Sequence, residues 1–173
     1  MCNNEKRKCI FLDRDGVINV DHGYVFKTED FEFMEDVFPV LRGLVAQGFL
    51  LVVITNQSAI GRGYYTEDDF QTLNRWMLER FAEQKIPIAG IYHCPHAPDE
   101  RCSCRKPSPE LFYRAIDEFG IDPAISWMIG DKDSDMQAAQ AAGILNRVLI
   151  GSVDSDYNTY SVETLSQLTD LIC

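Results

Sequence analysis

Short, continuously apolar runs alternate along this chain with longer stretches in which apolar residues recur every three or four positions. Residues 8–12, 50–55, 90–94, 126–130 and 147–150 are runs of the first kind. Strands buried on both faces of a parallel sheet read this way, because neither face is left to polar side chains. A helical period shows in Phe38, Leu41, Leu44 and Val45 ahead of Gly48. It returns in Phe70, Leu73, Trp76, Met77, Arg80 and Phe81, with Thr66 or Asp68 as the cap, and in Leu111, Phe112, Ala115, Ile116 and Phe119 before a stop at Gly120. Strand alternating with helix predicts an α/β fold: a doubly wound, Rossmann-like parallel sheet of about five core strands. Residues 152–159 are polar and weakly patterned, and a short helix is expected over 162–172. With no repeat and no linker, residues 1–173 are expected to form one domain.

The formal net charge of −11 argues against a nucleic-acid partner. It would also repel anionic substrates at long range, so any phosphate site must be built locally from a metal ion, a cationic side chain and backbone N–H groups. No apolar run approaches the roughly 20 residues of a membrane span. The polar start of the chain does not read as a signal peptide, so a cytoplasmic protein is expected, and with no exposed apolar heptad a monomer is expected. Of six cysteines, Cys94, Cys102 and Cys104 cluster with His96, while Cys2, Cys9 and Cys173 are scattered and expected to be reduced bystanders. In that setting the cluster reads as metal ligands rather than as disulfides; a redox dithiol at Cys102 and Cys104 is the alternative. It lies in a long loop, 94–109, of the kind that is functional or stapled.

Four polar features fall just past four of the predicted strands: Asp13-Arg-Asp-Gly16, Thr55-Asn-Gln-Ser58, Cys94 and Gly130-Asp-Lys-Asp133. Ligands bind at the carboxyl ends of strands in open α/β sheets. Asp13 and Asp15 could be no more than a strand-ending turn. In a functional reading Asp13 is ionised and attacks phosphorus, while Asp15 carries the proton for the leaving oxygen, their pKa values driven apart by coupling and a nearby cation. The acidic cluster Asp131, Asp133 and Asp135 suits a hard cation. Magnesium is expected on the side chains of Asp13 and Asp131 and the backbone carbonyl of Asp15, with Asp135 orienting a metal-bound water and Asp133 capping a helix. Thr55 and Lys106 would complete a phosphate cradle, although Lys106 alone could be a solvated surface lysine.

Asp13-x-Asp15-Gly16, Thr55, Lys106 and Gly130-Asp131 resemble, in order and spacing, the four motifs of the haloacid dehalogenase superfamily, over roughly residues 8–150. The resemblance implies a phosphatase: Asp13 forms an aspartyl-phosphate, and Asp15 protonates the departing alkoxide and then deprotonates water. Cys94-x-His96 followed after five residues by Cys102-x-Cys104 resembles the zinc-loop subfamily and implies a closed, structural Cys3His zinc site bracing Arg105 and Lys106. The length leaves no room for a large cap domain. The segments 11–25, 55–58, 61–63, 104–107 and 130–132 are similar to the sugar-bisphosphate phosphatases of that subfamily. The likeness implies substrate contacts from Asp21, His22, Gly23, Tyr24, Thr55, Asn56, Gln57 and Ser58, with Arg105 and Lys132 recognising the sugar bisphosphate. Two rivals remain: the histidinol-phosphate phosphatases, whose pattern lacks the 21–24 and 61–63 segments, and a non-catalytic zinc-stabilised module that only binds a phosphosugar.

Overall fold

A computed structural model of the protein describes residues 6–152 and 155–172. Six strands, β1 (Cys9–Leu12), β2 (Leu50–Asn56), β3 (Gly90–Cys94), β4 (Trp127–Gly130), β5 (Asn146–Ile150) and β6 (Tyr160–Val162), form one sheet in the order β3-β2-β1-β4-β5-β6. Every pairing is parallel. The helices are α1 (Val37–Ala46), α2 (Ser58–Gly61), α3 (Glu67–Glu83), α4 (Glu110–Phe119), α5 (Asp133–Ala141) and α6 (Leu168–Leu171). Cys2 and Cys173 lie outside the described residues. Among the described residues, no helix is long and apolar enough to cross a membrane.

Alternation along the strands divides the core in two. Ile10, Leu12, Leu51, Val53, Ile129 and Val148 pack with α1, α3 and the C-terminal turns, through Val40, Leu41, Leu44, Leu73, Met77, Phe81 and Leu168. Cys9, Phe11, Val52, Ile54, Met128 and Leu149 face the other way, onto Leu111, Phe112 and Ala115 of α4 and Met136, Ala138 and Ala139 of α5. That is why the strands read as unbroken apolar runs. Thr66, of the two candidate caps, opens α3: its hydroxyl accepts from Asp69 N, and the Asp69 carboxylate accepts from Thr66 N at 2.8 Å. Gly120 ends α4 in the left-handed region, at φ 63°.

The sheet has one strand more than the five core runs, and it corrects the C-terminal expectation. Residues 162–172 are not one helix: Val162 ends β6, a 3-10 turn spans Leu165–Gln167, and α6 is a single turn. β6 escapes a hydrophobic scan because it is a short edge strand with exposed side chains. Hydrogen bonds specify it instead. Thr159 N donates to Arg147 O, and the Arg147 guanidinium donates to the carbonyl oxygens of Tyr157, Ile144 and Leu145.

β1 lies between β2 and β4, so the winding of the chain reverses at the β1/β4 boundary. In open parallel sheets the crevice above the strand ends at such a switch point binds ligands. Asp13 directly follows β1 and Asp131 directly follows β4.

Candidate active site

Four charged side chains from three distant segments meet above that boundary. The Lys106 ammonium lies 3.0 Å from Asp13 Oδ1 and 2.6 Å from Asp135 Oδ1, and donates to the Ile54 carbonyl at 2.7 Å. Asp13 and Ile54 accept hydrogen bonds from it, and Asp135 is a second ion-pair partner. Lys106, Asp13 and Asp135 are all buried, so Lys106 is not a solvated surface residue. Its backbone is fixed as well: Asn56 Nδ2 donates to Lys106 O at 3.2 Å, and Lys106 N donates to Asn56 Oδ1 at 3.1 Å. Two glycines let the acids approach. A Cβ on Gly16, whose φ is 88°, would come within 2.3 Å of Asp131 Oδ2, and one on Gly130 within 2.5 Å of Asp135.

Asp133 does not cap α5. Lys132 holds the cap position, and Asp135 Oδ2 accepts its backbone N–H at 3.1 Å. Asp133 is the first helical residue, and its carboxylate takes hydrogen bonds from Gln137 and Ser155. Asp135 thus satisfies a helix end with one oxygen and faces Lys106 with the other, which is more than the water-orienting role expected of it.

Electrostatics shift the two leading aspartates in opposite directions. Burial pushes the Asp13 carboxyl up to about 7, against the pull of Lys106, and Asp135, Asp131 and Asp15 push the same way. Burial also works against Asp15, but the adjoining Arg14 charge and hydrogen bonds from Arg14, Asn19 and Gln57 outweigh it, holding that carboxyl below the usual range. Arg14 Nε and Nη2 reach Asp15 at 3.2 and 2.9 Å, Asn19 Nδ2 at 3.0 Å and Gln57 Nε2 at 2.9 Å. Arg14 Nη2 also donates to Val25 O at 2.8 Å, tying the acid to the loop that carries residues 21–24. For Lys106 burial opposes the charge, and Asp13 and Asp135 more than restore it, raising its pKa.

A cleft of about 540 Å³ opens beside Asp15 and Lys106 and is lined also by Asp21, Gly23, Tyr24, Asn56, Gln57, Ser58, Arg105 and Lys132. Lys132 reaches Asp21 at 3.4 Å and Asp131 at 3.8 Å, and Arg105 keeps a buried, unpartnered Nη1. Most of the expected substrate contacts therefore share one wall. His22 is apart from it: its Nε2 lies 3.0 Å from Glu32 Oε2 on a neighbouring depression. Asn56 and Gln57 line the cleft but spend their amides on the protein, Gln57 donating to Thr55 Oγ1 at 2.8 Å and accepting from Tyr65. Arg14, Asn19 and Tyr65 were not singled out in the sequence. For Arg14 a signal existed: an arginine between two aspartates at the end of a buried strand has little choice but to pair.

Two donor sets have the chemistry of metal sites. Asp13, Asp131 and Asp135 bring carboxylate oxygens within 4.8 Å of one another, and Asp131 Oδ1 is buried without a hydrogen-bond partner. An all-oxygen set with a spare lone pair fits a small hard cation. Cys94, His96, Cys102 and Cys104 form the second. Cys94 Sγ lies 3.7 Å from Cys102 Sγ and 3.1 Å from Cys104 Sγ, and His96 Nδ1 lies 3.5 Å from Cys94 and 3.2 Å from Cys104. Thiolates each ~2.3 Å from a tetrahedral zinc would be ~3.8 Å apart, so the set fits zinc with little movement. The four cysteines described are free thiols. His93 points elsewhere, against Glu67 and the Phe70 ring.

Fold and site together define a phosphoric monoester hydrolase of the haloacid dehalogenase-like class, and a family model described as HAD-hydrolase-like matches residues 103–153. A D-glycero-beta-D-manno-heptose-1,7-bisphosphate 7-phosphatase from Haemophilus ducreyi is 42% identical over 176 aligned positions, covering 96% of this chain and 97% of its own length. One from Escherichia coli strain K12 is 49% identical over 148 positions, 82% of this chain and 78% of its own. The chain belongs to this family of heptose bisphosphate phosphatases. Among solved structures, the D,D-heptose 1.7-bisphosphate phosphatase from B. bronchiseptica, complexed with magnesium and phosphate, matches with a TM-score of 0.85 at 26% identity, over 95% of this chain and 97% of that one. A HAD-like phosphatase from Mesorhizobium loti matches with 0.86 at 29% identity, over 96% and 84%.

Proposed function

We propose that this protein removes the 7-phosphate of D-glycero-β-D-manno-heptose 1,7-bisphosphate through an aspartyl-phosphate on Asp13, in the cytoplasm and as a monomer, within lipopolysaccharide precursor synthesis. The observation that carries the reading is the placement of Lys106: its ammonium, 93 positions along the chain from Asp13, sits 3.0 Å from Asp13 Oδ1 in a buried site open to a cationic cleft. Asp13 attacks phosphorus, and the Lys106 ammonium and Thr55 hydroxyl stabilise the negative charge spread over the phosphoryl oxygens. Asp15 gives its proton to the C7 oxygen and later takes one from the water that hydrolyses the acyl-phosphate. Because the Asp15 carboxyl is held below the usual range in the free protein, it takes that proton from solvent as the anionic ester arrives, since a like charge alongside favours its neutral form. Arg105 and Lys132, on the cleft wall, take the 1-phosphate and sugar hydroxyls.

The side chains of Asp13, Asp131 and Asp135, with the backbone carbonyl of Asp15, would hold Mg2+, which supplies charge neutralisation at the phosphate when bound. Cys94, His96, Cys102 and Cys104 would hold Zn2+ as a staple for the loop carrying Arg105 and Lys106. The test is phosphate release from both anomers of the heptose bisphosphate and from histidinol phosphate, with magnesium and with EDTA. Magnesium-dependent release, fastest from the β-anomer, is expected. Faster hydrolysis of histidinol phosphate would end the heptose assignment, release indifferent to EDTA would end the cation's role, and no release at all would leave a phosphosugar-binding module.

A further inference from the structure

Gln57 lies between the two groups that handle the leaving group and the phosphoryl oxygens. Its Nε2 donates one proton to Asp15 Oδ2 at 2.9 Å and the other to Thr55 Oγ1 at 2.8 Å. A carboxamide rotated by half a turn would present its oxygen to both, and that oxygen can donate to neither. The ionised Asp15, which can only accept, therefore sets the orientation, and the Tyr65 hydroxyl, which donates to Gln57 Oε1, anchors the far end of the amide. Tyr65 is itself fixed. It is 5% exposed, its ring stacks on Phe26 with centroids 5.1 Å apart, and it packs with Ala59 and Phe70. The next residue, Thr66, is locked into the capping box of α3. Tyr65 is buried behind the residues that line the cleft.

We infer that Tyr65 is a positioning residue: by pinning the Gln57 carbonyl it aims that amide's two N–H groups at Asp15 and Thr55, and so fixes the Asp15 carboxylate oxygen that faces the leaving group. This rests on the phosphomonoesterase reading above, and it moves Gln57 from substrate contact to the internal frame of the site. An acid that must be aimed at a departing oxygen matters most when that oxygen leaves poorly. A sugar alkoxide needs the proton; a nitrophenolate does not. Proper aim is thus visible as a difference between two esters in kcat/KM, which covers the steps through leaving-group departure.

The experiment measures kcat/KM of the magnesium-supplemented enzyme with heptose bisphosphate and with p-nitrophenyl phosphate, for wild type, Tyr65→Phe, Gln57→Met and the double variant. Tyr65→Phe is expected to lower the sugar-to-aryl ratio about tenfold, a fraction of the ~100-fold or more that general acid catalysis supplies. Gln57→Met should lower it at least as far, and the double variant no further than Gln57→Met alone, because Tyr65 acts through the amide. An unchanged ratio in Tyr65→Phe, whether both esters fall together or neither falls, overturns the inference, as do additive effects in the double variant. Circular dichroism of each variant checks folding; should Tyr65→Phe fail to fold, the ratio in Gln57→Met decides, and an unchanged value there is equally fatal. A wild-type enzyme inactive on both esters would instead sink the phosphatase reading itself.

Discussion

The carboxylate cluster and the cysteine–histidine cluster sit at the same end of the sheet, with Arg105 alone between Cys104 and Lys106, yet they are assembled on opposite principles. The first draws Asp13, Lys106, Asp131 and Asp135 from three separate segments and contains its own cation, the buried Lys106. Strand ends and the clearances at Gly16 and Gly130 hold it together whether or not a divalent ion is bound. The second takes all four donors from an eleven-residue stretch of loop, 94–104, and contains no cation of its own. A set of thiols this close has nothing but weak S–H contacts to hold it unless a metal does. One cluster is therefore a feature of the fold that a metal would complete, and the other is a feature of the metal that the fold would exploit.

Breaking the first cluster should give the largest effects. Asp13→Asn is expected to lower turnover by at least about a thousandfold, the scale on which covalent and acid–base groups act, while leaving the melting curve nearly in place; retained activity would refute Asp13 as nucleophile. Lys106→Met should do more than abolish activity. It strands three acids without their buried counter-charge, and about 3 kcal/mol of stability should be lost at pH 8 without added cation. Denaturant titration checks this, and magnesium should recover part of the loss if the cluster is the cation site.

Breaking the second should act at a distance. Cys102→Ser is expected to lower zinc content and cut activity about tenfold or more by letting Arg105 and Lys106 wander, the loss expected when the support of a site is removed. Metal analysis and phosphate release read the two together. Purified protein without zinc would contradict the staple, and full activity in the variant would uncouple loop from site.

The smallest effect is a pH signature. The folded pKa of Asp13 is raised to about 7 from its ordinary 3.8, so its contribution favours folding below about 4 relative to higher pH and is lost as pH rises towards 7. Asp131 shifts in the same direction, with burial as the main cause. Asp15 does the opposite: its lowered pKa stabilises the fold above the ordinary carboxylate range, and that contribution disappears as pH falls through it. Added magnesium should therefore raise the melting temperature by a few degrees more at pH 8 than at pH 5. An equal shift at both would mean that the ion binds elsewhere.

Much of this was legible in the sequence because the functional residues hang on the strongest local signals. Asp13, Thr55 and Asp131 each end an unbroken apolar run, and Cys94 to Cys104 are close enough in sequence to be read as one set. What stayed hidden depends on where side chains turn once the chain is folded. Asn56 and Gln57 stand in a loop that reads as substrate-facing, yet their amides turn inward to Lys106, Asp15 and Thr55. The charge state of Asp15 is set by Asn19 and Gln57 as well as by neighbouring Arg14, and only the fold brings Gln57 there. β6 carries too little hydrophobicity to register, because its place is fixed by Arg147 and Thr159 through backbone hydrogen bonds.

The most direct test is rapid-quench mass spectrometry of the enzyme during turnover of p-nitrophenyl phosphate, whose leaving group needs no proton, with magnesium and with Asp15→Asn to slow hydrolysis of the intermediate. The expected result is a phosphoryl group on the peptide containing Asp13, absent from the Asp13→Asn variant. Turnover with no phosphorylated enzyme at any time point, or a phosphoryl group on another residue, would contradict the claim that these side chains converge to phosphorylate Asp13.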